Sequence, residues 1–265
     1  FKGKEKESRK YVEYFLKNMI NHENSMICDF IDSKLNDESN IIENSDIYDN
    51  VVKEMDGGTL YFVLERRWQN IGEILIKNGI NMTHYENGET ILHLASELKR
   101  LKNKKPILRI IFDKMNYEKC ELMRELLKTE IRSENTPLLV AASNGIFENV
   151  RIIFEMCEKM EISHDILLKT NQYKSNIIHE SVQCDDTYFL SLLNLLNSDP
   201  IKLNALLMKK DNDGETPFNT VVKYGQQKKF EAMLDLFAKH QISTDSVLET
   251  TNGENIMHLA ATNDC

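Results

Sequence analysis

An all-α solenoid of stacked helix-turn-helix units, with hairpin-like turns and a helical cap at its N-terminal end, is the fold that the sequence predicts. Three observations point to it. A short motif recurs five times in clear form and once in a weaker one along the 265 residues. An amphipathic helical pattern follows each complete copy. Glycine (10) and proline (4) are too scarce for the many tight turns of an all-β chain. With 41% apolar and 28% charged residues the balance is that of an ordinary globular protein.

The first 55 residues do not fit the repeat. Tyr11, Phe15 and Met19 with Val12, Leu16 and Ile20 form one apolar helical face, and Met26, Ile27, Phe30 and Ile31 a second. Residues 1–55 are therefore expected to cap the stack, because a terminal unit must cover an otherwise bare apolar face. An independent small domain is the alternative.

From residue 56 onward the motif reads GGTLYFVLERR (57–67), NGETILHLASE (87–97), SENTPLLVAAS (133–143), YKSNIIHESVQ (173–183), DGETPFNTVVK (213–223) and NGENIMHLAAT (252–262). The marker slot falls on Gly58, Thr90, Thr136, Asn176, Thr216 and Asn255, at spacings of 32, 46, 40, 40 and 39. Thr can cap a helix that begins there, Pro presets φ for its first turn, and small residues let neighbouring helices approach. Ser181-Val182 and Val221-Val222 replace the small pair, so looser stacking is expected at those two units.

Downstream lie apolar residues at i, i+3, i+4 and i+7: Leu108/Ile111/Phe112/Met115, Val150/Ile153/Phe154/Cys157, Phe189/Leu192/Leu193/Leu196 and Phe230/Met233/Leu234/Phe237. In the weak first copy Ile71, Ile74 and Leu75 match until Asn78 breaks the series. Each unit thus reads as turn, short helix, turn, longer amphipathic helix, and such a pair buries its stripe only against neighbours. A related apolar turn precedes four slots, at 125–130, 166–171, 205–212 and 246–252, and accounts for a period near 40. The predicted units are 56–82, 86–117, 133–160, 173–198, 212–240 and a truncated 252–265, together forming a 56–265 repeat domain.

These units resemble ankyrin repeats, whose unit of about 33 residues, a turn and two helices, carries a T-P-L-H-x-A core. Thr136-Pro137-Leu138 with Ala141, Ala142 and Gly145 matches best. Thr90/Leu92/His93/Ala95 and Met257/His258/Ala260/Ala261 match well, and Thr216-Pro217 with Gly225 keeps the frame. The longer spacing is similar to inhibitor-of-NF-kappa-B-type proteins and to the cytoplasmic ankyrin domains of TRP channels. The resemblance implies a non-enzymatic scaffold that binds a partner protein through its concave face and hairpin tips, as a signalling or transcription-factor regulator of inhibitor-of-NF-kappa-B type. The alternative it implies is the cytosolic domain of a TRP-like ion channel.

The chemistry-bearing motifs of enzymes do not occur. GxxxxGK[ST], GxGxxG, HExxH and GxSxG are all missing, so no enzyme, cofactor or metal is expected. His93, His179 and His258 share one motif slot, but equivalent positions in a stack stand one unit apart, so they are expected to hydrogen-bond at the turn-to-helix corner rather than converge. The five cysteines are far apart and lack metal spacing, which suits a reducing cytoplasmic or nuclear compartment. Cys184 is followed by Asp185-Asp186, which would raise its pKa and quench it. The chain opens on Phe1 and stops at Cys265 just after a motif begins, as a piece of a longer chain would. No apolar run approaches the roughly 18 residues of a membrane span, so no membrane insertion is expected.

Charge points to the partner. A net charge of −9 disfavours direct nucleic-acid binding. The basic run KRLKNKK at 99–105 reads as a solvated loop, or as a nuclear-import or acidic-partner segment. Glu86, Glu89, Glu134, Asp211, Asp213, Glu215 and Glu254 lie in the turns before the slots and, stacked in register, would line one edge as a negative stripe. A partner with a basic segment is expected there.

Overall fold

The structure, a computed structural model, describes residues 57–243 except 78, 84, 87, 116–120, 122–123, 125 and 128–132. The expected N-terminal cap and the truncated last unit, with Glu254 and His258, lie outside the described residues. Those residues are mostly helical. The strands among them are β1 (Tyr85–Glu86) and β2 (Glu89–Thr90), which pair with each other. The chain divides into two compact units, residues 1–85 and 86–265.

In the first unit, α1 (Gly57–Glu65) packs on α2 (Gln69–Lys77). Leu60, Val63, Leu64, Leu75 and Ile76 are buried. The two helices approach at Gly72, where a Cβ would stand 2.9 Å from Leu64 Cδ2. A larger residue there would require the Leu64 side chain to shift.

In the second unit short helices alternate with longer ones: α3 (Ile91–Ser96) and α4 (Ile107–Lys114), α5 (Pro137–Ser143) and α6 (Phe147–Lys159), α8 (Ile177–Ser181) and α9 (Asp186–Leu196), α11 (Pro217–Lys223) and α12 (Gln227–His240). Each short helix starts at a marker slot. Thr90, Thr136, Asn176 and Thr216 are its N-caps, each accepting from a backbone N–H of the first turn. Asn replaces Thr without loss because both side chains carry the acceptor that orphan helix donors need. The short helices α3, α5, α8 and α11 pack on one another in series.

Two of the four inserted turns are helices, α7 (Ser163–Leu167) and α10 (Pro200–Leu207); that at 125–130 is described only at Leu126 and Leu127, and that at 246–252 lies outside the described residues. Their role shows at the caps. Asn176 Nδ2 donates to Leu206 O in α10 at 2.7 Å, and Thr90 Oγ1 donates to Leu126 O at 2.9 Å. The extra element therefore sits against the N-cap of the unit before it, which is why the period exceeds that of a bare helix pair.

Three of the four apolar stripes are buried as expected, including Phe112, Val150 and Phe189. Burial of each large side chain contributes about 1.5–3 kcal/mol. The stripe of α12 differs. There the buried residues are Lys229, Met233, Leu236 and Phe237, while Leu234 is 38% exposed. The helix is turned so that Lys229 reaches the preceding unit, and Phe230 stacks on Phe218 with centroids 5.2 Å apart. Ser181, Val182 and Val221 are fully buried, so both enlarged pairs are closed off from solvent.

Candidate functional site

The turns that lead into the short helices share one backbone device. The residue two before each N-cap is left-handed: Gly88 (φ 87), Glu134 (φ 55), Lys174 (φ 57) and Gly214 (φ 77). Asn171 Oδ1 then accepts from the N–H groups of Tyr173 and Ser175, and forty residues on Asp211 Oδ1 accepts from those of Asp213 and Glu215. Successive turns are tied by backbone bonds: Gln172 N–H donates to Ser133 O at 3.0 Å and Asn212 N–H to Tyr173 O at 2.8 Å.

The predicted acidic residues fall on different rungs of these turns. Glu134 and Asp213 are exposed, one at the left-handed position and the other one residue earlier in its turn. Between them, at the position of Glu134, stands Lys174. Asp211 is taken up in its turn. Glu215 pairs with Lys223 at 3.0 Å and raises the lysine's pKa. Glu89 is half-buried in β2, Glu86 lies in β1, and Glu254 lies outside the described residues.

The motif histidines join units. His93 Nδ1 faces the Thr90 N–H at 3.0 Å and so must accept, while its Nε2 lies 2.9 Å from Asn135 O and so must donate. His179 repeats this with the Asn176 N–H and Glu215 O. Burial holds the His179 pKa below its ordinary value, against the Glu215 carbonyl and Asp211, which favour its charged form. Both rings are neutral corner pieces. In the last described unit Asn219 occupies this slot, fully buried, and both atoms of its amide lack partners.

A second set of bonds was not foreseen from sequence. In two long helices the third residue reaches back to the end of the short helix one unit earlier. Asn149 Nδ2 donates to Ala95, Ser96 and Leu98 carbonyls, and Lys229 Nζ to Val182 O (2.7 Å) and Cys184 O (2.5 Å). Lys229 is 1% exposed. In the intervening unit the residue is Tyr188, whose buried hydroxyl has no partner. Only the polar residue at a helix start facing a helix end lacking glycine could have signalled this.

Cys184 donates its thiol to Ala142 O at 3.3 Å. Burial is the main cause that pushes its pKa up, opposed by Lys229 and helped by Asp185 and Glu180. The expectation of a quenched thiol holds, with burial ahead of the acidic neighbours. Of the basic loop, Arg100 pairs with Glu148 and Lys105 with Asp113, both at 3.3 Å.

On the exposed side of α8 lies Glu180, whose Oε1 accepts from Asn171 Nδ2 at 2.8 Å. Burial raises its pKa, and only that amide opposes the shift. Among the described residues no group of three His, Cys, Asp or Glu side chains could hold a metal ion, and no helix is long and apolar enough to cross a membrane.

No family model matches the chain, and no curated protein matches it. Among solved structures it is similar to that of a predatory endopeptidase from Bdellovibrio bacteriovorus in complex with an immunity protein. The match has a TM-score of 0.52 and 19% identity, and covers 77% of this chain and 91% of that one. At this identity the likeness is one of fold. It nevertheless corrects one expectation, that the chain is no enzyme because the motifs are absent: the fold leads to a structure that contains a peptidase. Short motifs report chemistry carried on local sequence and are blind to residues assembled from distant turns, so that exclusion is withdrawn.

Proposed function

We infer that the chain is a protein-binding stack of ankyrin-type repeats, with the turn tips and the exposed side of the short helices as its contact surface. One observation carries the reading. A single corner, N-cap to histidine to the carbonyl before the next N-cap, recurs at His93–Asn135 and His179–Glu215, as repeated units built for lateral stacking require. Such stacks leave one long surface of short side chains and turns, which suits an extended protein partner better than a small molecule. In the matched structure a protein is likewise bound to a protein.

The net charge of −9 favours a partner with a basic segment. Regulation of a transcription factor, in the manner of inhibitor-of-NF-kappa-B proteins, rests on the longer-period resemblance alone. A photo-crosslinker placed at exposed Gln183, after α8, is expected to trap a discrete partner that excess unlabelled chain competes away. The same group at exposed Leu190 on α9 is expected to trap none. Equal trapping from both positions, or from neither, defeats the reading.

A further inference from the structure

Two lysines near the short helices of the second unit are answered within the fold. Lys223 is paired with Glu215, and Lys229 is spent on two carbonyls. Glu180 is placed differently. It is half-buried, its Oε1 is held by Asn171, and no lysine or arginine among the described residues lies within ion-pair distance of it. A carboxylate drawn partly out of water without a counter-charge is unfavourable in the free protein. Such a group is best explained by a cation that arrives from outside.

Asn171 makes this more than a stray acid. It is 4% exposed and uses its whole amide: Oδ1 fixes the turn at 171–175 and Nδ2 fixes Glu180. The turn it fixes carries Tyr173, 61% exposed, two residues on. One buried amide therefore positions a carboxylate and anchors the backbone of an exposed aromatic residue. An arginine suits this pair best, since its planar guanidinium bonds a carboxylate through two N–H groups and stacks on an aromatic face.

We propose that Glu180, steadied by Asn171 beside the turn that carries Tyr173, is the docking point for an arginine of a basic protein segment. This deepens the protein-binding reading and depends on it. The site lies on α8, whereas Asp211 and Glu215 among the acidic turn residues are already engaged within the fold.

The test is selection of random twelve-residue peptides displayed on phage against the full chain, followed by binding measured by fluorescence polarisation. Selected peptides are expected to share an arginine. Replacing it with citrulline should weaken binding at least about tenfold to the wild type and leave binding to Glu180→Gln unchanged, because both changes remove the same contact. Glu180→Gln keeps the bond from Asn171, and an unchanged circular dichroism spectrum will show that it folds. Tyr173→Ala should give a smaller loss. Peptides that bind without arginine, or that bind Glu180→Gln as tightly as wild type, overturn the docking point and leave the protein-binding reading standing. A selection that yields no binding peptide counts against both.

Discussion

Helices α5 and α8 occupy equivalent places in successive units, yet they end differently. After α5 the chain passes through Gly145, left-handed at φ 65, and the N–H groups of Gly145 and Ile146 return to Ala142 and Ala141 carbonyls. Helix α11 ends the same way at Gly225. After α8 the connection is one residue shorter, counted from N-cap to the next helix, and no glycine is present. Its carbonyls are satisfied instead by Lys229 from the next unit, as those of α3, also without a glycine, are by Asn149. Where a glycine turn returns the backbone bonds, as after α5, the next unit adds only the weak Cys184 thiol donor to Ala142 O, and Tyr188 carries an idle hydroxyl. Orphan carbonyls must be satisfied somewhere, and a stack can satisfy them from its neighbour.

Lys229→Met would break this contrast most severely. It removes a buried ammonium together with both of its carbonyl bonds, so a loss of about 3 kcal/mol is expected in urea unfolding, the carbonyl penalty outweighing the relief of burying no charge. An unchanged midpoint would mean that water satisfies α8 as well as lysine does. Asn149→Ala should cost less, about 2 kcal/mol, because the deleted donor is neutral and a small cavity can admit water. Tyr188→Phe sharpens the other side of the comparison. Removing a buried hydroxyl that bonds nothing should leave stability unchanged or raise it by up to about 1 kcal/mol. A clear loss would show that the Tyr188 hydroxyl has a partner after all.

The parts of the fold that were legible in the sequence are those encoded within one unit. Thr136-Pro137 announces a cap and a first turn, Gly145 an end, and Val150/Ile153/Phe154/Cys157 a buried stripe, all within a few residues of one another. Asn176 could be placed in the threonine slot for the same reason. The bonds between units were not legible, because Lys229 and the carbonyls of Val182 and Cys184 are more than forty residues apart and lysine at a helix start ordinarily reads as solvated. The turned face of α12 follows from that same bond and was missed with it. The acidic turn residues were found by type and position, but type does not reveal that the Asp211 carboxylate holds its own turn while Asp213, two residues on, is exposed. Glu180 was passed over because its motif position is ordinarily apolar, as Leu94 and Val140 are in the equivalent places.

The smallest expected effect concerns pH, and it separates α8, which carries Glu180 and His179, from α5, which has no titratable side chain. Burial raises the Glu180 pKa above its ordinary 4.5, so the folded chain binds that proton more tightly than the unfolded chain does. Its contribution to stability is therefore greatest below 4.5 and declines as pH rises through the window between the unfolded and the folded value. His179 acts in the opposite sense: its folded pKa lies below 6.5, and stability is lost as pH falls beneath that value. A single stability profile would mix the two, whereas subtracting the profile of Glu180→Gln from that of the wild type removes the histidine. The variant should match the wild type or fall slightly below it at pH 4 and exceed it at pH 7, by less than the Tyr188→Phe effect because the group is only half-buried. A difference that is flat across this range would mean that Glu180 is already as well solvated as in the unfolded chain, and would remove the physical reason for expecting a cation to dock there.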